Sequence, residues 1–330
     1  MPVILSHLDA KTYVPHALHA SDRNWIETNC YVDLWIELLA SLDMTPEAML
    51  GFTVTQDFEG DQFTFFKPST DSLQSLYGVT TSELAMFDTC ERHFVTQVAR
   101  GRFVLVEVDG YFLPDTRGVT YHSGHSKTTI CINAIDPAAR RLSYFHNAGY
   151  ADLSGDDYDG IVNAGGKTHD GLQTLLPYTE FVKVPAKRKQ LNVKAVIGLL
   201  ASEMSRRPKA NPLREFKLVF PMHVEDLLQR PDAYFHTYAF NTLRQCGANF
   251  ELLASHLNWL AEKARIDLTA PALSAQVVSE GMKALQFKLA RALARRRPAG
   301  LSDFLEPLAD HYDQLMSALD RKIAPHSIAA

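Results

Sequence analysis

The chain reads as an α+β protein with an all-helical C-terminal region, and three observations carry that reading. Short helical and strand patterns alternate up to about residue 185. β-Branched and aromatic runs bounded by turn residues mark the strands. From Lys187 onward every segment carries the apolar period of a helix, with no strand signal. The stretch Ala186-Lys187-Arg188-Lys189 reads as a linker, giving an α+β domain over 1–186 and a helical domain over 187–330. At 330 residues, 46% hydrophobic and 22% charged, the chain can bury a large core.

The elements follow in order. Cys30 to Ala40 has the pattern of a helix, with Leu34 and Leu38 on one face. Thr45-Pro46 opens a short helix that Gly51 stops. Phe52 to Thr55 and Gln62 to Phe66 read as strands around the acidic loop Asp57-Phe58-Glu59-Gly60-Asp61. Ser82 is expected to cap a helix running to Arg100 and ended by Gly101. Phe103 to Asp109, Lys127 to Ile135, Leu142 to His146 and Glu180 to Val184 are the remaining strands. The second and third of these flank the turn Asp136-Pro137 and are expected to pair antiparallel. Tyr150 to Asp170, rich in Gly and Asp, reads as a loop. The C-terminal helices are expected over 190–206, 212–229, 233–264, 274–297 and 301–322, broken at Pro208, Pro212, Pro231, Pro271 and Pro298.

Several function classes are disfavoured. A net charge of -5 gives no general case for nucleic acid, and the basic run Arg295-Arg296-Arg297 reads as a solvated helix end. The N-terminus lacks the basic and apolar regions of a signal peptide, and no apolar run approaches the ~20 residues of a membrane span. Four cysteines without paired spacing suggest a cytoplasmic chain with reduced thiols.

Cys30 lies where a polar stretch gives way to the first helical pattern. A thiol at a helix start faces unpaired N–H groups and the positive end of the helix dipole, which favour the nucleophilic thiolate. His125 leads into one strand and Asn147 ends the next, and an antiparallel pair would bring them together. Cys, His, then Asn is the chain order of papain-type cysteine catalysis. The roles are nucleophile for Cys30, base for His125 (with His122 as its rival) and orienting group for Asn147. The side chain of Asn24 is the candidate oxyanion donor; Asn29 is a second, more simply a helix cap. Asp57, Glu59 and Asp61 repel one another unless a cation or ammonium sits among them, so Glu59, Asp61 and the adjoining Gln62 are candidate substrate contacts, or a solvated acidic turn. Asp109, with Glu107 on the same strand face, points into a cleft or to solvent. His122-x-x-His125 lacks a paired thiolate or the helical spacing of a zinc motif, so no metal is assigned.

Glu27 to Glu37, Asp57 to Gln62, Phe65-Phe66-Lys67-Pro68, Leu113-Pro114-Asp115-Thr116, His125 with Lys127-Thr128-Thr129, and Tyr144 to Tyr150 carry a resemblance. They look like a bacterial family of formerly unknown function whose genes tend to lie beside those for amino acid:[carrier protein] ligases. That family is more distantly similar to the papain-like acyltransferases of aminoglycoside biosynthesis. The resemblance implies a papain-like cysteine-transferase or peptidase fold. It also implies aminoacyl transfer from a carrier protein's phosphopantetheine thioester, through Cys30, to an amine, with no cofactor of the chain's own. The implied partners are the aminoacylated carrier protein, the ligase and an amine acceptor; nucleic acid and membrane are not expected. Those relatives often have Asp where this chain has Asn147. A cysteine hydrolase (amidase, peptidase or thioesterase) and a non-catalytic carrier-protein partner are the alternatives. Lys187-Arg188-Lys189, or Arg206-Arg207 with Lys209, is the expected docking patch for an acidic carrier.

Overall fold

The computed structural model describes residues 2–164, 175–297 and 300–327, the last four of these by backbone alone. The architecture is mixed α+β: one antiparallel sheet and a helical C-terminal region. The strands are β1 (Thr80–Glu83), β2 (Phe103–Asp109), β3 (Lys127–Asp136), β4 (Arg141–His146), β5 (Gly149–Ser154) and β6 (Thr179–Lys183), in the order β1-β6-β2-β3-β4-β5. The helices are α1 (Cys30–Ser41), α2 (Thr70–Tyr77), α3 (Cys90–Ala99), α4 (Asp156–Val162), α5 (Val193–Ser205), α6 (Pro212–Gln229), α7 (Tyr234–Tyr238), α8 (Gln245–Ala264), α9 (Thr269–Ala294) and α10 (Leu305–Ser327).

Packing divides the chain into two compact units that interleave in sequence. One holds Met1–His19, Asn29–Met44 and Leu73–Lys189; the other holds Ala20–Thr28, Thr45–Ser72 and Gln190–Ala330. A single cut in the linker therefore does not separate them.

In the first unit the sheet is covered on both faces, and strand alternation decides what faces what. Ile130 and Ile132 of β3 join Val104, Val106 and Val108 of β2 in a core with Cys90, Phe94 and Val98 of α3. The alternate residues of β3, beginning with Thr129, meet α1. In the second unit α8, α9 and α10 pack together, and the segment Pro46–Thr55 lies against α8. Gln56 Nε2 donates to Gln245 O at 3.0 Å, Asn249 Nδ2 donates to Thr53 O at 2.9 Å, and His256 Nδ1 bonds Glu47 O at 2.7 Å.

Five local expectations change. Pro46–Thr55 is one 3-10 helix rather than a helix followed by a strand. Thr53 and Thr55 turn their hydroxyls back onto the carbonyls of Leu50 and Phe52, a local alternative to a strand ladder. The second expected strand there shrinks to a bridge between Phe58 and Phe63. Thr80 to Glu83 is an edge strand on β6, and the following helix waits for Thr89, whose hydroxyl caps Arg92 N. Within the expected loop, Gly149–Ser154 pairs with β4. Gly155 then turns at φ +65°, and Asp156, Asp157 and Asp159 suit the positive start of α4. Residues 165–170 of that loop and Pro298 lie outside the described residues. Finally, the expected helix 233–264 is α7 and α8 joined by a π-helical turn, Ala239–Arg244.

Candidate active site

Cys30 is the first residue of α1. The Asn29 side chain caps the helix, its Oδ1 accepting from Tyr31 N at 3.2 Å and Val32 N at 3.0 Å, so Asn29 is a cap. The helix start is tied to the sheet by Tyr31 OH, which donates to Glu180 Oε2 on β6 at 2.8 Å; Tyr178 OH donates to the other oxygen at 3.1 Å. The Cys30 thiol is half-buried and donates to Thr129 Oγ1 on β3 at 3.9 Å. The other three thiols are buried. Burial pushes Cys90 up to about 11 and holds Cys131 and Cys246 well above the ordinary thiol range.

His125 stands just before β3, and its Nδ1 pairs with Asp109 Oδ2 at 2.5 Å. Asp109 also accepts from Tyr111 N at 3.0 Å and Ser126 N at 3.1 Å. Partial burial disfavours its charge, but the His125 bond and the two backbone donors outweigh that and hold its carboxyl below the usual range. Tyr111 stacks on the imidazole with centroids 4.9 Å apart. A cavity of about 430 Å³ is lined by Glu107, Asp109, His125 and Lys127, with Lys127 Nζ donating to Glu107 at 2.8 Å. The structure thus brings His125 to Asp109 rather than to Asn147. Asn147 sits in the two-residue turn between β4 and β5, at φ +46°, a left-handed conformation that Asn tolerates well. Among the described residues no hydrogen bond joins Cys30, His125 and Asn147 to one another. His122, the rival base, pairs with Asp157 at 2.9 Å.

A second polar array had no role assigned from sequence. Thr128 Oγ1 meets His146 Nε2 at 2.8 Å, His146 Nδ1 meets Asp115 Oδ2 at 2.5 Å, and Tyr144 OH also donates to Asp115. Burial opposes ionisation of Asp115, but the His146 and Tyr144 bonds lower its carboxyl all the same. Thr128 alternates with Thr129, and His146 shares its face of β4 with Tyr144 of the α3-side core, so this array lies on the sheet face turned away from Cys30. Leu113-Pro114-Asp115-Thr116 and Tyr144-Phe145-His146 were the signal; His146 is the last residue of β4, and Asn147 falls past it in the turn.

The other candidates lie in the second unit. Asn24 N donates to Glu251 at 3.0 Å, and Asn24 lines a cavity with Trp25 and Lys283. Glu59 to Gln62 form an exposed turn closed by Glu59 N donating to Gln62 O at 2.8 Å, with Gly60 at φ +87°. Asp61 and Gln62 line a cavity of about 400 Å³ together with His223 and Asp226. Among the described residues no cluster of His, Cys, Asp and Glu could hold a metal ion, and no helix is long and apolar enough to cross a membrane. The three arginines of the basic stretches are partnered: Arg188 with Asp43 at 2.7 Å, Arg206 with Glu203 at 2.6 Å, and Arg207 with both oxygens of Asp320 at 2.7 Å.

No curated protein matches the chain. Residues 14–184 match the model of the DUF1839 N-terminal domain and residues 189–321 that of the DUF1839 C-terminal domain. The two matches meet at the linker and cover nearly the whole chain; it belongs to the DUF1839 family.

Proposed function

We propose that this protein is an aminoacyltransferase of papain-like type that takes an aminoacyl group from a carrier-protein phosphopantetheine thioester onto Cys30 and passes it to an amine. One observation carries the reading: of the four cysteines only Cys30 escapes burial, and it does so at a capped helix N-terminus laid on an antiparallel sheet. The Cys30 thiolate attacks the thioester carbonyl, and the pantetheine sulfur leaves as its thiolate. The acceptor amine then attacks aminoacyl-Cys30, forming the new amide and releasing the thiolate. The amine's proton goes to His125, which Asp109 orients through Nδ1. The carrier supplies the phosphopantetheine, the amino acid:[carrier protein] ligase supplies the charged carrier, and the setting is the cytoplasm.

The test mixes the protein with glycyl- or alanyl-loaded carrier and measures intact mass. An aminoacyl adduct is expected on the native chain and not on Cys30→Ser, and an added amine acceptor should discharge it. Adduct discharge by water alone would make the protein a hydrolase. Absence of any adduct would remove the covalent mechanism. A non-catalytic carrier-binding role is favoured by one observation: among the described residues the Cys30 thiol bonds Thr129 and no imidazole. It expects Cys30→Ser to bind loaded carrier as tightly as the native chain does.

A further inference from the structure

The segment Arg23 to Thr28 is clamped onto the helices of the second unit. Glu251 accepts from both Asn24 N and Trp25 N at 3.0 Å. Trp25 Nε1 donates to Ser279 Oγ at 3.1 Å, and Arg244 Nε donates to Thr28 O at 3.1 Å. This fixed segment forms one wall of a cavity of about 560 Å³. The π-helical turn Ala239–Arg244, a rare geometry that often accompanies function, also lines it, through Ala239, Phe240 and Arg244.

Two cations share this space. Lys283 Nζ stands 4.2 Å from the Trp25 ring centroid, and the Arg244 guanidinium 4.6 Å from that of Phe240. Among the described residues Lys283 has no carboxylate within ion-pair distance. Arg244 has only Glu27, at 3.4 Å, and the Glu27 side chain is 43% exposed. Burial, then the like charge of Arg244, pulls the Lys283 ammonium below its ordinary range. The buried Glu251 opposes that shift but is shared with Arg23 at 3.7 Å, so three cations meet two carboxylates here and the pair is only partly compensated. The cavity also holds Gln286, whose buried Oε1 has no partner among the described residues. A buried acceptor without a donor costs stability in the empty protein, and a ligand can relieve it.

We propose that this cavity binds a small organic anion: a carboxylate or phosphate held by Arg244 and Lys283, with a hydrogen-bond donor of the same molecule on Gln286 and its apolar body between Trp25 and Phe240. Two sources share that chemistry, a free amino acid and a phosphopantetheine-type phosphate ester. The inference stands apart from the Cys30 chemistry and needs no turnover to test.

The test is calorimetric titration of the full chain with alanine, with phosphopantetheine and with inorganic phosphate as the ion control. Saturable binding of alanine or of phosphopantetheine is expected, and which of them binds identifies the source. Lys283→Met and Arg244→Gln should each weaken it by about tenfold or more, since each removes a charged hydrogen bond. Lys283→Arg should retain binding, and circular dichroism should show each variant folded like the native chain. No binding of either organic anion would overturn the proposal. So would equal affinities in native and Lys283→Met protein, or inorganic phosphate binding as tightly as the organic anions.

Discussion

Removing the His19 imidazole would strand two buried carboxylates on α1. His19 Nε2 meets Asp33 at 3.2 Å and its Nδ1 meets Glu37, with all three side chains out of solvent. Tyr13 OH donates to Glu37 at 2.5 Å as well. Burial works against the imidazolium, but the bonds and charges of Asp33 and Glu37 prevail and raise it from 6.5 to about 9. The folded-state value lies above the unfolded one, so this stabilisation is complete below about pH 6.5 and is lost as pH rises through about 9. Urea midpoints should fall between pH 7 and pH 10 in the native chain and fall less in His19→Ala. At pH 7 that variant should lose about 3–5 kcal/mol, the cost of an uncompensated buried charge. Cys30 offers a second test at this scale. Brief alkylation of the folded chain should modify one thiol, and Cys30→Ser should abolish it; labelling of Cys90, Cys131 or Cys246 in folded protein would contradict their burial. Sequence exposed Cys30 through the polarity change before it and the apolar pattern after it. It did not expose the partner of His125, because Asp109 reaches His125 across the β2–β3 ladder, and a pairing across strands leaves no spacing to read. The array of His146 with Asp115 escaped because Asp115 lies on the 3-10 turn Pro114–Thr116, 31 positions from His146, a separation that leaves no spacing to read.

At the scale of elements, the glycine at 247 is fixed by what it faces. A Cβ there would overlap the rigid indole of Trp25, which cannot yield while its Nε1 is bonded to Ser279. Gly247→Ala should therefore cost about 1–3 kcal/mol, as overpacking does, and a melting curve will show it. Should alanine be tolerated without loss, Trp25 is not held as described. The long strands and the helices of the C-terminal half were legible because their periods are unbroken over many residues. The 3-10 helix Pro46–Thr55 was not: Phe52-Thr53-Val54-Thr55 has strand composition, and the hydroxyl bonds that overrule it depend on burial against α8. The π-helical turn between α7 and α8 leaves the apolar pattern intact and so leaves no mark in it.

At the scale of the whole molecule, the composition change near Lys187 marks the family's domain boundary but not the division of the packed units. The helices after the linker take Gln56, Thr53 and Glu47 as hydrogen-bond partners. A fragment beginning at residue 190 lacks all three. It should fail to melt cooperatively alone, and should recover when residues 20–72 are supplied on a co-expressed piece. Cooperative melting of the bare fragment, at the temperature of the full chain, would contradict this. The interleaving also sets a timetable during synthesis. The ribosome releases residues 45–72 early, yet their packing partners are the last part of the chain to be made. Leu50, Phe52, Val54, Phe58, Phe63 and Phe66, all buried in the finished protein, must wait in the open while more than a hundred further residues are added. That wait is a natural opening for a holding chaperone, and slowing translation after residue 190 should lengthen it.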